Sequence, residues 1–352
     1  MTSQLSHIIV ERSPGLVCAV AVARDGRPWH IFHQFWGGER EAVRAGQIVE
    51  ARVKARDEMG GVFLEHISWK RWEGGFEPLY CDRKTAQGLT EGQALAVRVV
   101  SAARQDHVAR VIPIEGDRPF SEPEDALKDW IELLGIEQVS EAQSKADTID
   151  AVFDEVRTGS VGLSEGGMIH IERTRGMTVI DVDSAGRRGR GSAAARALSL
   201  NKQAVSETAR QICLGGLGGV FAIDCVEPLT DVARTQLRNI LVETFKDHDP
   251  RKLMAQKPSR FGILEAATAW RSTPVSEALE TAEMSLALAL RRAHKEMSIE
   301  TGGFYTLELG RAAYDAYLAY KAVVDAQIAA YFHGRLSLAK LSSGQEGLKR
   351  QP

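Results

Sequence analysis

Two pairs of acidic residues at the ends of strand-like runs are the side chains of this chain best placed to do chemistry. Asp181 and Asp183 close the run TVIDVD, and Asp224 and Glu227 follow the run VFAI. Between them, residues 173–210 carry eight basic side chains, Arg187, Arg188 and Arg190 among them, against three acidic ones. Carboxylates beside cations suit a metal ion that handles a phosphodiester, because oxygen ligands hold a hard cation and guanidinium groups meet phosphates. A structural reading competes with this one. Strand-end aspartates also cap the next element, and a basic run with Gly186, Gly189 and Gly191 is also what a solvated loop looks like.

The elements that must position these groups follow from pattern. The segment 177–183 is rich in β-branched residues, and a second strand at 166–172 precedes it across a Thr174-Arg175-Gly176 turn. Strand alternation puts Asp181 and Asp183 on one face. The apolar run 220–223 predicts a buried strand that Asp224 ends. Residues 192–214 carry Ala195, Leu198, Val205, Ala209 and Ile212 at helical spacing. Strand, helix, strand predicts a parallel crossover that brings Asp181 and Asp224 to one sheet edge. The LGGLGG at 214–219 precedes a strand, so it reads as a helix end and not as a nucleotide-binding loop.

These stretches resemble the catalytic core of the ribonuclease E/G family. VIDVDSAG, AIDCVEP 43 residues further on, and PSRFGILE stand in the family's order, and the resemblance runs patchily over most of the chain. It implies that Asp181 and Asp224 hold Mg²⁺, and that Asp183, in place of the family's Asn, is a third catalytic carboxylate. The implied activity is endonucleolytic cleavage of single-stranded RNA, leaving 5′-phosphate and 3′-hydroxyl ends, with Arg187, Arg188 and Arg190 on the RNA backbone. The implied fold is a multidomain α+β and α/β chain. Residues 1–45 open an RNase H-like part and 46–113 form an OB-fold RNA-binding barrel. Residues 114–165 are a linker with the rest of the RNase H-like part, and 166–275 a DNase I-like catalytic domain. Residues 276–340 form a truncated helical small domain, and 341–352 a disordered tail.

The region 46–113 supports the barrel on its own, through short strands with Gly-rich turns. By the resemblance, Phe63 and Phe76 fall on RNA-stacking positions and His107 lies near an RNA-contacting lysine. The other reading makes both rings barrel core. Trp69 and Trp72, beside Lys70 and Arg71, add aromatic candidates.

Departures from the family carry expectations of their own. The segment 114–165 is too short for the family's 5′-monophosphate sensor and predicts helices at 123–134 and 145–157. ATAWRSTPVSEALETAEM stands where the family has a cysteine-based zinc link, and Cys18, Cys81, Cys213 and Cys225 make no CxxC pair. No structural zinc is expected, nor the family's tetramer in its usual form. Helices are expected at 276–296 and 314–331. Tyr317, Tyr320 and Tyr331 read as packing, with a homodimer contact as the alternative. His30, His33, His66, His107 and His170 are dispersed, with no metal or general-base constellation among them.

Composition excludes other classes. With 44% hydrophobic and 26% charged residues and a net charge of −3, the chain reads as a soluble multidomain protein and no general polyanion binder. No run reaches a membrane-spanning length and no cleavable leader opens it. Unpaired cysteines fit a reducing cytoplasm. The missing insert, and Arg175 where relatives often carry glutamate, keep a non-catalytic RNA-binding protein of the same fold as the alternative function.

Overall fold

Alternating and continuous apolar residues lay down the first sheet. β1 (Leu5–Ser13), β2 (Leu16–Ala23) and β3 (Pro28–Phe35) pair antiparallel in sequence order. The structure is a computed structural model that describes residues 4–35, 43–67, 78–103, 108–116, 120–121, 126–142, 148–185, 191–299, 302–342 and 346–351.

Five strands then close a barrel: β4 (Ile48–Arg56), β5 (Val62–His66), β6 (Pro78–Cys81), β7 (Ala94–Ser101) and β8 (Ala109–Pro113), in the order β4-β5-β6-β8-β7. The barrel has a core of its own, with Val49, Val53, Leu64, Leu79, Val97 and Val111 pointing inward. Every second residue therefore points outward, available for binding. Five strands in this order are consistent with the OB type.

The chain next returns to the first sheet. α1 (Ala126–Leu134) is followed by β9 (Val139–Glu141), which runs parallel to β1 and completes the order β3-β2-β1-β9, and then by α2 (Thr148–Thr158). β9 departs from the sequence expectation of helices and linker here. All three of its residues are exposed, so no apolar period announces it.

The largest sheet follows. Its strands are β10 (Ser160–Gly162), β11 (Met168–Arg173), β12 (Thr178–Asp183), β13 (Gly219–Asp224), β14 (Met254–Ala255) and β15 (Ile263–Thr268), in the order β10-β11-β12-β13-β15-β14. α3 (Ala193–Leu214) links β12 to β13 as a parallel crossover, and α4 (Asp231–His248) follows β13. Thr178, Ile180 and Val182 of β12, Phe221 and Ile223 of β13, and Leu264 and Ala266 of β15 are buried on one face. The intervening residues lie on the other. β13 is thus a half-buried strand and not the fully buried one its apolar run predicts, since Val220 is 46% exposed. One apolar core joins the buried face of this sheet to α3, α4, α1 and the inner residues of β1 and β3. Ser192 starts α3 with an N-cap, its Oγ accepting from the Ala195 N–H at 3.2 Å. The glycines after α3 end it, with Gly215 at the C-cap and Gly216 at φ +64°.

The C-terminal part is more complete than a truncated helical remnant. The helix expected at 276–296 is two, α5 (Val275–Leu279) and α6 (Ala282–Ile299), because the Thr281 hydroxyl accepts from the Met284 N–H at 3.2 Å and starts a new helix. β16 (Tyr305–Leu309) then leads to α7 (Arg311–Ala319) and α8 (Lys321–Phe332), which Tyr320 divides. β17 (Leu336–Lys340) pairs parallel to β16, and β18 (Gly347–Arg350) antiparallel to it. The segment expected to be a disordered tail therefore contains a strand. Its residues are polar, but pairing needs only backbone groups, and Leu348 packs on the local core. Tyr317, Tyr320 and Tyr331 pack against the same core. Among the described residues no helix is long and apolar enough to cross a membrane.

Candidate active site

Register places the two acidic strand ends side by side. Asp181 of β12 and Asp224 of β13 are paired positions of a parallel ladder, so their side chains leave the same face of neighbouring strands, about 4.8 Å apart in the backbone. Both are exposed, and among the described residues neither carboxylate has a hydrogen-bond or ion-pair partner. Asp183 lies on the same face one pleat further along and is half-buried. Its Oδ1 accepts from the Ala185 N–H at 2.8 Å. Glu227 is committed elsewhere, accepting from Arg234 Nη2 at 3.1 Å and from the Leu229 N–H.

Two residues without a role in the sequence reading help to build this edge. Asn201 of α3 is fully buried, donates to the Val226 carbonyl at 2.8 Å and accepts from the Val226 N–H at 3.0 Å. The helix thereby fixes the chain two residues beyond Asp224. His170 of β11 is the register partner of Asp181 and shares its face, with Nδ1 hydrogen-bonded to the Ser160 hydroxyl at 2.9 Å. Helical spacing hides the first and dispersal along the chain hides the second, so only register brings them to the site.

The basic cluster of the sequence reading divides. Arg210 is buried in α3 and holds Glu207, Glu155 and the Pro28 carbonyl, which removes it from any phosphate. Arg173 donates to the Ser276 hydroxyl at 2.7 Å and pairs with Glu277. Arg173 and Arg175 flank the turn of the β11–β12 hairpin, at the end opposite Asp183. The expected patch of eight basic residues is therefore not one surface. Arg187, Arg188 and Arg190 lie outside the described residues, as do Phe76, Trp69, Trp72 and His107.

On the barrel, Phe63 of β5 points outward and is 40% exposed. Its register partner is Tyr80 of β6, with ring centroids 5.2 Å apart and planes at 57°. The Tyr80 hydroxyl donates to Asp57 at 2.8 Å, which fixes that ring. Tyr80 had no place in the sequence reading, although Leu79 and Cys81 pointing inward oblige it to point out.

A second set of ligand-type residues sits elsewhere. His30, Cys213 and Asp249 bring their donor atoms within 4.8 Å of one another, all three buried. Of the described histidines only His30 takes part, and β3, α3 and the end of α4 converge there. The cluster is closed to a cation. Asp249 accepts from Arg251 at 2.8 Å and from Arg271 at 3.0 Å, and His30 Nε2 bonds the His248 carbonyl at 2.9 Å. Burial alone would raise the Asp249 carboxyl, but the two guanidinium groups outweigh it and hold the carboxyl well below the usual range. Burial drives the Cys213 thiol well above its ordinary value, so no thiolate is on offer. Cys225, next to Asp224, is likewise pushed up by burial and is a packed thiol.

The Ribonuclease E/G family model matches residues 68–269, which include both aspartates, α3 and the β14–β15 hairpin. The chain belongs to the ribonuclease E/G family. Ribonuclease E of Escherichia coli is 32% identical over 117 residues, which make up 33% of this chain and 11% of that protein. Ribonuclease E of Haemophilus influenzae is 27% identical over 174 residues, 47% of this chain and 18% of that one. Ribonuclease E of Buchnera aphidicola, from Acyrthosiphon pisum, is 32% identical over 117 residues, 33% of this chain and 13% of that one. The chain thus spans less than a fifth of the length of these relatives. Among solved structures, a multidomain protein with nucleic acid binding domains from Streptococcus pneumoniae is 17% identical over 34% of this chain, with a TM-score of 0.18, too slight a likeness to carry an argument.

Proposed function

We propose that this chain is a metal-dependent endoribonuclease that cuts single-stranded RNA. The observation that carries this reading is the register of Asp181 with Asp224, two exposed carboxylates on one face without partners among the described residues. Uncommitted carboxylate oxygens from adjacent strands are the donor set that a hard cation such as Mg²⁺ takes. Bound there, the ion supplies positive charge at the phosphate and makes a water more acidic. Asp181 and Asp224 hold it, while Asp183, with one oxygen tied to the Ala185 N–H, orients water with the other. Arg187, Arg188 and Arg190 position the RNA backbone. In the reaction a water oxygen bonds to phosphorus, the bond from phosphorus to the 3′ oxygen breaks, and that oxygen leaves with a proton. The products are a 5′-phosphate and a 3′-hydroxyl.

The barrel is the RNA-holding part of this reading. Phe63 and Tyr80 present rings on the outer face of the second and third strands, the face on which OB-type barrels bind oligonucleotides. Phe76 and His107, outside the described residues, are further RNA-contact candidates in this reading. The six-stranded sheet with α3 and α4 is the DNase I-like core, and β1, β2, β3 and β9 the RNase H-like part. The test is a 5′-labelled, A/U-rich single strand incubated with the full chain and Mg²⁺, with EDTA as control. Cleavage with Mg²⁺ alone supports the reading. Tight RNA binding with no cleavage under any divalent ion would replace it with a non-catalytic RNA-binding protein.

A further inference from the structure

The β14–β15 hairpin ends in a short rigid turn beside the two aspartates. Ile263, the first residue of β15, is the register partner of Asp224. The turn before it is closed by three hydrogen bonds: Ser259 N–H to the Ile263 carbonyl at 2.8 Å, Gly262 N–H to the Ser259 carbonyl at 3.1 Å, and Phe261 N–H to the Ser259 hydroxyl at 3.2 Å. Gly262 lies against the end of β13. With φ +83°, a Cβ there would stand 2.8 Å from the Cys225 carbonyl, so only glycine allows the turn to sit this close. Pro258 and Gly262 are buried, and Ser259, Arg260 and Phe261 between them are exposed.

Two features of this tip have no structural use. Phe261 is 87% exposed, more than any other large hydrophobic residue described, and it makes no ring contact among the described residues. Arg260 makes no ion pair or side-chain hydrogen bond among the described residues. An exposed aromatic and a free guanidinium on one tip match the two things a single-stranded nucleotide offers, a π-face and a phosphate. The tip also lies at the sheet edge where β12 and β13 end.

We infer that Phe261 stacks on the base next to the scissile phosphate while Arg260 meets a neighbouring phosphate, so that the hairpin tip sets the nucleotide in register with Asp181 and Asp224. The inference rests on the proposed ribonuclease reading. Phe261 is a positioning residue here, since it touches the base and not the reacting atoms. An aromatic platform takes any base, so the tip fixes where the strand lies more than which base is chosen.

The test uses single-stranded RNAs carrying 2-aminopurine at successive positions around the cleavage point, bound to the full chain with Asp224→Asn to keep the strand intact. Fluorescence should be quenched at one position beside the scissile bond. The quench should vanish with Phe261→Ala and persist with Phe261→Tyr. In the cleaving protein, Phe261→Ala should lower kcat/KM roughly 5- to 100-fold, and an abasic nucleotide at the same position should erase the difference between the parent protein and the Phe261→Ala variant. Arg260→Ala should reduce the salt slope of binding by about one. An unchanged quench with Phe261→Ala, in a protein that still binds and cuts RNA, overturns the inference and leaves the ribonuclease reading standing. Failure of the parent protein to bind any of the RNAs overturns both.

Discussion

Two regions of this protein gather metal-type donors, and they differ in what those donors are free to do. His30, Cys213 and Asp249 form the tighter cluster, with all donor atoms within 4.8 Å. The carboxylate there is answered internally, because Arg251 and Arg271 close on Asp249 from two sides. Asp181 and Asp224 are only two groups on an open sheet face, but neither is answered among the described residues. Closeness alone does not make a ligand site. A buried carboxylate held by guanidinium groups is part of the fold, whereas two exposed carboxylates held in register against their own repulsion are ready for a cation.

The largest expected effect breaks the comparison on the exposed side. Asp224→Asn removes one of the two charges proposed to hold the ion, so cleavage of the labelled single strand should fall on the order of 10⁴-fold or more. Binding of that RNA should change little, and urea unfolding should show the same or slightly higher stability, because a like-charge repulsion has gone. A variant that loses stability in proportion to activity would show that Asp224 serves the fold.

Asp249→Asn should do the reverse. It leaves two buried guanidinium groups facing a neutral amide, which costs about 3–5 kcal/mol of stability. The midpoint in urea should drop sharply, while the Mg²⁺ or Mn²⁺ affinity of the protein that remains folded should be unchanged. Loss of metal binding with intact stability would move the metal site from the sheet face to the buried cluster.

The buried region also predicts a pH dependence that the exposed one does not. Burial pushes His30 down to about 4 and His33 down to about 3. In the unfolded chain both titrate near 6.5. The unfolded state therefore binds protons that the folded state refuses, and stability is lost as pH falls below about 6.5. The loss should approach about 1.4 kcal/mol per pH unit for each histidine, continuing to about pH 4 for His30. Urea midpoints measured between pH 7 and pH 5 check this. A flat profile would mean that water reaches these rings.

Much of the exposed site is legible in the sequence because strands declare it. The alternation of β12 gives the shared face of Asp181 and Asp183, and the helical period of 192–214 gives the crossover that makes β12 and β13 parallel. What the sequence hides are partners brought in by register or by packing between distant segments. His170 faces Asp181 across a hairpin, Tyr80 faces Phe63 across another, and His30 meets Asp249 from 219 residues away. The arginine run misleads for the same reason. Arg210 looks like its neighbours in sequence, but it stands in the buried C-terminal part of α3, paired with Glu207. β9 and β18 stay hidden because edge pairing is a backbone property that polar side chains do not announce.

The smallest expected effect concerns the 5′ end of the RNA. Beside the buried cluster lies a cavity of about 330 Å³ whose lining includes Arg44, Arg251 and Arg271. Three arginines around a cavity look like a seat for a terminal phosphate. Their bonds argue otherwise. Arg44 donates to the His33 carbonyl at 2.7 Å and lies 4.6 Å from the centre of the Phe32 ring, and Arg251 and Arg271 share Asp249. Asp129 and Glu132 line the same cavity and would repel a phosphate there. RNAs that differ only in a 5′-monophosphate or a 5′-hydroxyl should accordingly be cut within about twofold of one another, since these guanidinium groups already hold acceptors of the protein. The measurement is a single-turnover comparison of the two RNAs at equal salt. A tenfold preference for the monophosphate that disappears with Arg44→Ala would show that the cavity is a phosphate seat after all, and that the buried region takes part in choosing the substrate.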